Sequence, residues 1–165
     1  MKLTRESAYG IEGLLVLAAN PPGRVMLLSD IADQAGVSKT FLAKIYQKLT
    51  RYGIVRSFRG ATRGYALAQQ PQEITLKQVL LAIEGPDLLD RCIFWSERCN
   101  DTHPCPLHNR WKQLGRQCIE ELVERTTLQD LLNDTPAGAE VNERLAVSGA
   151  GGLIPASEGV RRWRA

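Results

Sequence analysis

The stretch LSDIADQAGVSKTFLAKIYQKL, residues 28–49, carries two short apolar patterns joined by a glycine. Leu28, Ile31 and Ala32 recur at helical spacing, as do Leu42, Ile45 and Leu49, and Gly36-Val37-Ser38 lies between them. Ser29 is placed to cap the first helix, and Ser38 the second. Ala32 is small where two helices would cross closely, Gly36 permits a tight turn and Val37 would plug the joint. This spacing predicts a helix-turn-helix whose second helix leaves its first turn open to a groove.

The flanking sequence extends the motif on both sides. Upstream, Thr4 caps a helical pattern at Ile11, Leu14, Leu15 and Ala18, which NPPGR at 20–24 stops. Downstream, Gly53 closes the helix that starts after Ser38. In IVRSFRGATRGYALA (54–68), Val55, Ser57, Tyr65 and Leu67 read as strand residues around the turn RGATRG. The order of three helices and a hairpin is that of a winged helix-turn-helix, so the expected fold is mainly α with a small β-hairpin. Two further helices are expected, TLKQVLLAIEG (75–85) and a long one from about Pro106 to Glu124, followed by the short capped TTLQDLLND (126–134). Trp111, Leu114, Cys118, Ile119 and Leu122 form a stripe too apolar for a lone exposed helix, with Cys118 read as a packed core thiol. Beyond Asp134 the composition turns to Ala, Gly, Ser and Glu, and a flexible tail over 135–165 is expected, ending in RRWR.

Composition narrows the function classes. The 165 residues are 44% hydrophobic and 24% charged, as in ordinary globular domains. No run approaches the roughly 18–20 apolar residues of a membrane span. The apolar N-terminal stretch is broken by Glu6 and Glu12, which argues against a secretory signal and for a cytoplasmic protein. The net charge of +3 divides into +6 over residues 1–66 and −3 over the remainder. Seven basic residues and no acidic one lie between Lys39 and Arg63, the electrostatic footprint of a nucleic-acid-binding module. Double-stranded DNA is the expected partner. Lys39, Thr40 and Lys44, flanked by Ser38 and Phe41, would face base edges, Lys48 would tend toward phosphates, and Arg59 and Arg63 would mark the wing. No nucleophile–base set, phosphate-cradling loop or paired carboxylates point to an enzyme.

A different chemistry is concentrated in CIFWSERCNDTHPCPLHNRW, residues 92–111, which holds three of the four cysteines and both histidines. In a reducing compartment such clusters are more often metal ligands than disulfides. The spacing C-x6-C-x5-C-x2-H lacks the close ligand pairs of common zinc modules. Three widely spaced thiolates better suit an iron–sulfur cluster, with Cys92, Cys99 and Cys105 as thiolate ligands and the fourth position open to an imidazole, which His108 can supply, or to another segment. His103 is a weaker candidate, and zinc remains an alternative. Trp95 and Trp111 read as packing groups shielding the site or the helix seam.

Over residues 1–134 the chain resembles the IscR/NsrR/RirA-type family of bacterial winged-helix regulators. The matching segments are MKLTRESAYG, the helix pair, the wing RYGIVRSFRGATRGYAL, TLKQVLLAIEG, C-x6-C-x5-C-P-L-H-x2-W and TTLQDLL. The resemblance implies a homodimer in which the long helix crosses its mate, giving Trp111, Leu114, Ile119 and Leu122 a partner. It further implies a palindromic operator and a cluster whose state changes operator affinity. In the IscR branch three Cys and a His hold a [2Fe–2S] cluster, favoured here over [4Fe–4S], and Cys92, Cys99, Cys105 and His108 match those positions. There are departures. The first gap is six residues where that branch commonly has five, and Ala8 stands where the nitric-oxide-sensing branch has an acidic ligand. Arg63 replaces a wing glycine, and Ala43 stands where some relatives carry a Glu that restricts operator choice. The implied organisation is a DNA-binding domain (1–85), a cluster loop (86–108), and a dimerisation helix with a closing helix (106–134). Two other classes fit less of the pattern: a zinc- or thiol-based redox sensor on the same fold, and a winged-helix protein-interaction module.

Overall fold

The computed structural model describes residues 3–89, 92, 94, 95 and 98–134. The expected tail, 135–165, lies outside them. The elements are α1 (Arg5–Ala18), α2 (Leu28–Ala35), α3 (Lys39–Arg51), β1 (Val55–Phe58), β2 (Gly64–Leu67), α4 (Leu76–Glu84), α5 (His108–Cys118) and α6 (Leu128–Asn133). No helix among the described residues is long and apolar enough to cross a membrane.

Most termini form where local chemistry places them. Thr4 accepts from the Glu6 N–H, Ser38 from the Phe41 N–H, and Thr75 and Thr127 each close a reciprocal capping box. Gly36 ends α2 in the left-handed region at φ +65°. The start of α2 departs from expectation. Its cap is the extended Leu27, without a side-chain bond, and Ser29 lies inside the helix with its hydroxyl toward Asp30. Leu28, packed against the core, brings the helix start forward by burial rather than by capping.

Helices α1 to α4 enclose a core in which Leu14, Ile31, Leu42, Ile45, Tyr46, Leu49 and Val79 are fully buried. The hairpin is antiparallel, with Val55 opposite Leu67 and Phe58 opposite Gly64. It is fastened to the body by the pair Met26 N–H to Tyr65 O (2.9 Å) and Tyr65 N–H to Met26 O (2.8 Å). Tyr65 also packs edge-on against Tyr46 at 5.0 Å.

The end of α4 is tied to two other helices. Glu84 Oε1 accepts from the Thr4 N–H, the Thr4 hydroxyl and the Ser7 hydroxyl. Lys48 Nζ, from α3, reaches Glu6 Oε2 at 2.5 Å and the Ile83 carbonyl at 2.9 Å.

The long C-terminal pattern is not one uniform helix. After Cys118 it widens into a π-helical segment, Ile119–Glu124. There Val123 is buried with Leu76, Leu80 and Leu88, while Leu122 stays exposed. Helix α6 then returns to the body, with Leu128 fully buried and its N–H bonded to the Ile74 carbonyl at 2.9 Å.

Candidate DNA-binding face and cysteine centre

The first turn of α3 is open. Ser38, Lys39, Thr40 and Lys44 are exposed, with the Ser38 hydroxyl engaged in its cap at 3.2 Å from the Phe41 nitrogen. Phe41 is half-buried and meets Tyr9 edge-on at 5.5 Å, so it anchors this turn to α1. Lys48 differs from its neighbours. Its ammonium is engaged by Glu6 and the Ile83 carbonyl, away from the exposed turn. Its place three residues from the buried Ile45, at the margin of the apolar face, is the sequence signal for that difference.

On the wing, Arg56, Arg59 and Arg63 are exposed around a 3-10 turn, Gly60–Thr62. Gly64 follows at φ +153°, where an added Cβ would meet the Met26 carbonyl oxygen at 2.3 Å. Only glycine allows the wing to approach so closely, and this requirement is invisible in the sequence around RGATRG.

The cysteine centre assembles between α4 and α5. The Sγ atoms of Cys92, Cys99 and Cys105 all lie within 4.8 Å of one another. Cys92 is buried, the other two half-buried. Two closer pairs stand out: Cys92 Sγ to Cys105 Sγ at 3.8 Å, and Cys99 Sγ to His108 Nδ1 at 3.2 Å. The loop is held by the Cys99 N–H on the Trp95 carbonyl (2.9 Å), the Cys105 N–H on Cys99 Sγ (3.4 Å) and the His108 N–H on the Cys105 carbonyl (3.0 Å).

The backbone N–H groups of Trp95 and then Phe94 outweigh burial and hold the Cys92 thiol below its usual range. The Cys99 thiol is pushed up: the Cys105 N–H favours its thiolate, but burial and the neighbouring sulfurs outweigh that donor. Three thiols this close resist joint ionisation, and a bound cationic centre would relieve the repulsion.

The donor set fits a metal group. Two thiolates on one tetrahedral ion with bonds of about 2.3 Å lie about 3.8 Å apart, the separation of Cys92 and Cys105. His103, by contrast, is exposed and its Nδ1 faces the Thr102 hydroxyl at 3.0 Å.

Two residues not singled out from sequence complete the surroundings. Asp101 Oδ1 lies 3.0 Å from His108 Nε2 and 2.7 Å from Lys112 Nζ. The Lys112 hydrogen bond first, then that of His108, holds the Asp101 carboxyl below the usual carboxylate range. Phe94 links the loop to α5, its ring 5.9 Å from Trp95 and 6.5 Å from Trp111.

The apolar stripe that runs from α5 into the π-helical segment is largely exposed. Leu114 is 62% exposed and Leu122 54%, while Trp111 is half-buried. The side chains of Cys118 and Ile119, also assigned to that stripe, lie outside the described residues.

The Rrf2 family profile, described as an iron-dependent transcriptional regulator, matches residues 3–134. IscR of Aliivibrio salmonicida is 28% identical over 160 residues, covering 96% of this chain and 94% of its own. The solved structure of CymR, described as the global cysteine regulator of B. subtilis, superposes with TM-score 0.63 at 27% identity, covering 79% of this chain and 95% of that one. T. potens IscR superposes with TM-score 0.62 at 24% identity, covering 92% and 94%, a likeness of fold.

Proposed function

This chain belongs to the Rrf2 family of DNA-binding transcriptional regulators, and we propose that it is a homodimeric sensor whose operator affinity is set by an iron–sulfur cluster on Cys92, Cys99, Cys105 and His108. It is a regulator and not an enzyme. The observation that carries the cluster reading is the convergence of three Sγ atoms within 4.8 Å, with His108 Nδ1 3.2 Å from one of them. The likeness to IscR favours [2Fe–2S] over [4Fe–4S], with these four residues as its ligands. When bound, the cluster would supply a centre sensitive to iron supply, oxidation and nitric oxide. The reducing cytoplasm would keep the ligand thiols available.

The residues of this chain account for how such a site would reach DNA. The loop follows α4 by way of the Pro86–Leu89 turn; the Ile83 carbonyl of α4 accepts Lys48 from α3 and its Glu84 holds the start of α1. Ordering the 92–108 loop would therefore bias the pose of α3 through α4. Lys39, Thr40, Lys44, Arg59 and Arg63 would contact DNA, with Ser38 and Phe41 shaping the first turn. Lys48 would act through the fold. The exposed stripe of α5 supports pairing with a second copy, and a two-fold dimer would read a palindromic site.

Thiol-based regulation is the second reading, supported by the 3.8 Å Cys92–Cys105 approach and the likeness to CymR. Anaerobic purification decides between them. The cluster reading expects a brown protein with thiolate-to-iron absorption, stoichiometric iron and sulfide, and cluster-dependent gel shift of a palindromic site. A colourless protein that takes up no iron and sulfide on reconstitution, with or without zinc, refutes it.

A further inference from the structure

The His108 ring is engaged from both ends. Nδ1 faces Cys99 Sγ at 3.2 Å, inside the sulfur group, while Nε2 faces Asp101 Oδ1 at 3.0 Å, outside it. The two nitrogens of a neutral imidazole have opposite roles, one donating and one accepting. A carboxylate oxygen only accepts, so the contact with Asp101 places the hydrogen on Nε2. The lone pair is then left on Nδ1, the atom that already faces the thiols.

Asp101 is itself held. Lys112 Nζ donates to the same oxygen at 2.7 Å, and His108 and Lys112 stand one turn apart on α5. The His108 N–H on the Cys105 carbonyl fixes the first turn of that helix against the loop. Turning the ring to offer Nε2 would break the Asp101 contact. Metal-ligating histidines almost always donate their other N–H to a carboxylate or carbonyl, and loss of that partner typically weakens metal binding about 10–100-fold.

We propose that His108 binds the cluster through Nδ1, and that Asp101, steadied by Lys112, is the positioning residue that selects this nitrogen. The proposal rests on the cluster reading given above.

The test uses the full chain labelled with histidine carrying ¹⁵N at Nδ1 only or at Nε2 only. It is reconstituted anaerobically with ferrous iron and sulfide, reduced, and measured by pulsed electron paramagnetic resonance. A nitrogen bound to iron couples several-fold more strongly than the remote ring nitrogen. The strong coupling is expected from the Nδ1 label and to survive His103→Ala, since the chain has only two histidines. Asp101→Ala is expected to shift the resonance spectrum, raise the reduction potential and speed cluster loss to a chelator about tenfold or more. Asp101→Glu should restore much of the wild-type behaviour. Strong coupling from the Nε2 label overturns the nitrogen assignment, and needs no variant to fold. Wild-type spectrum, potential and retention in Asp101→Ala overturn the role of Asp101. A wild-type chain that takes up no iron and sulfide refutes the cluster reading itself, and this assignment with it.

Discussion

Replacing Gly64 with alanine tests whether the wing is held by one close backbone approach. An added Cβ would sit 2.3 Å from the Met26 carbonyl oxygen, 2.8 Å from its carbon and 2.9 Å from Val25 Cγ1. Close carbon–oxygen contacts in proteins fall at about 3.3–3.6 Å, so the 25–26 segment would retreat by about an ångström. That displacement pulls apart the two hydrogen bonds joining Met26 to Tyr65, at 2.9 and 2.8 Å. Each contributes about 1 kcal/mol net. An alanine at φ +153° adds backbone strain of about 1–3 kcal/mol. A destabilisation of about 3–5 kcal/mol follows, a large share of the roughly 5–15 kcal/mol that holds a small protein folded. The assay is urea unfolding at fixed protomer concentration, paired with gel shift of operator DNA. Gly60→Ala is the control. Gly60 also has positive φ, +83°, but nothing lies within 4 Å of an added Cβ, so only about 1–2 kcal/mol of strain is expected. A Gly64→Ala protein within about 0.5 kcal/mol of wild type, the scatter of an ordinary surface change, would refute the reasoning.

Four further outcomes are expected. Leu114→Glu puts a charge into the exposed stripe of α5 and should yield a folded monomer in sedimentation velocity; an intact dimer would exclude this seam. Arg59→Ala should weaken operator binding and flatten the slope of log affinity against log salt by about one. Lys48→Met should leave that slope unchanged while lowering the melting temperature, because its ammonium is engaged by Glu6 and Ile83; a flattened slope would return Lys48 to the DNA face. Burial works to raise the Glu84 carboxyl, but the hydroxyl of Ser7, the N–H and hydroxyl of Thr4 and the charge of Lys48 outweigh it and hold it below its ordinary value. Its contribution to stability is therefore present above the ordinary glutamate range and lost as pH falls through the lowered value. Glu84→Gln should remove that part of the acid dependence of urea unfolding; an unchanged pH profile would count against the network.

Local chemistry carried much of the fold. Thr4, Ser38, Thr75 and Thr127 cap the helices they precede because capping is settled within a few residues. The hairpin follows equally from alternation in 54–68, with Val55 opposite Leu67. Ser29 shows where such reasoning stops. Leu28 is drawn into the core, so α2 starts two residues before the helix expected from the serine. The widening after Cys118 is a second instance, since the 3.6-residue period has no means of showing which of Leu122 and Val123 meets α4.

The sequence by itself determined the order of elements, the basic run from Lys39 to Arg63, and the concentration of cysteines and histidines that supplies the candidate centre. Those are properties of residue type and spacing along one chain. Only the tertiary structure decided which lysine is taken up by the fold, why Gly64 must be glycine, and which nitrogen of His108 faces the sulfurs. Each depends on groups distant in sequence or on the direction of a side chain. Lys48 meets Ile83 across 35 residues, and Gly64 meets Met26 from another segment. The His108 ring takes its direction from Cys99 and Asp101, whose positions along a loop without regular periodicity give no hint of which side they occupy.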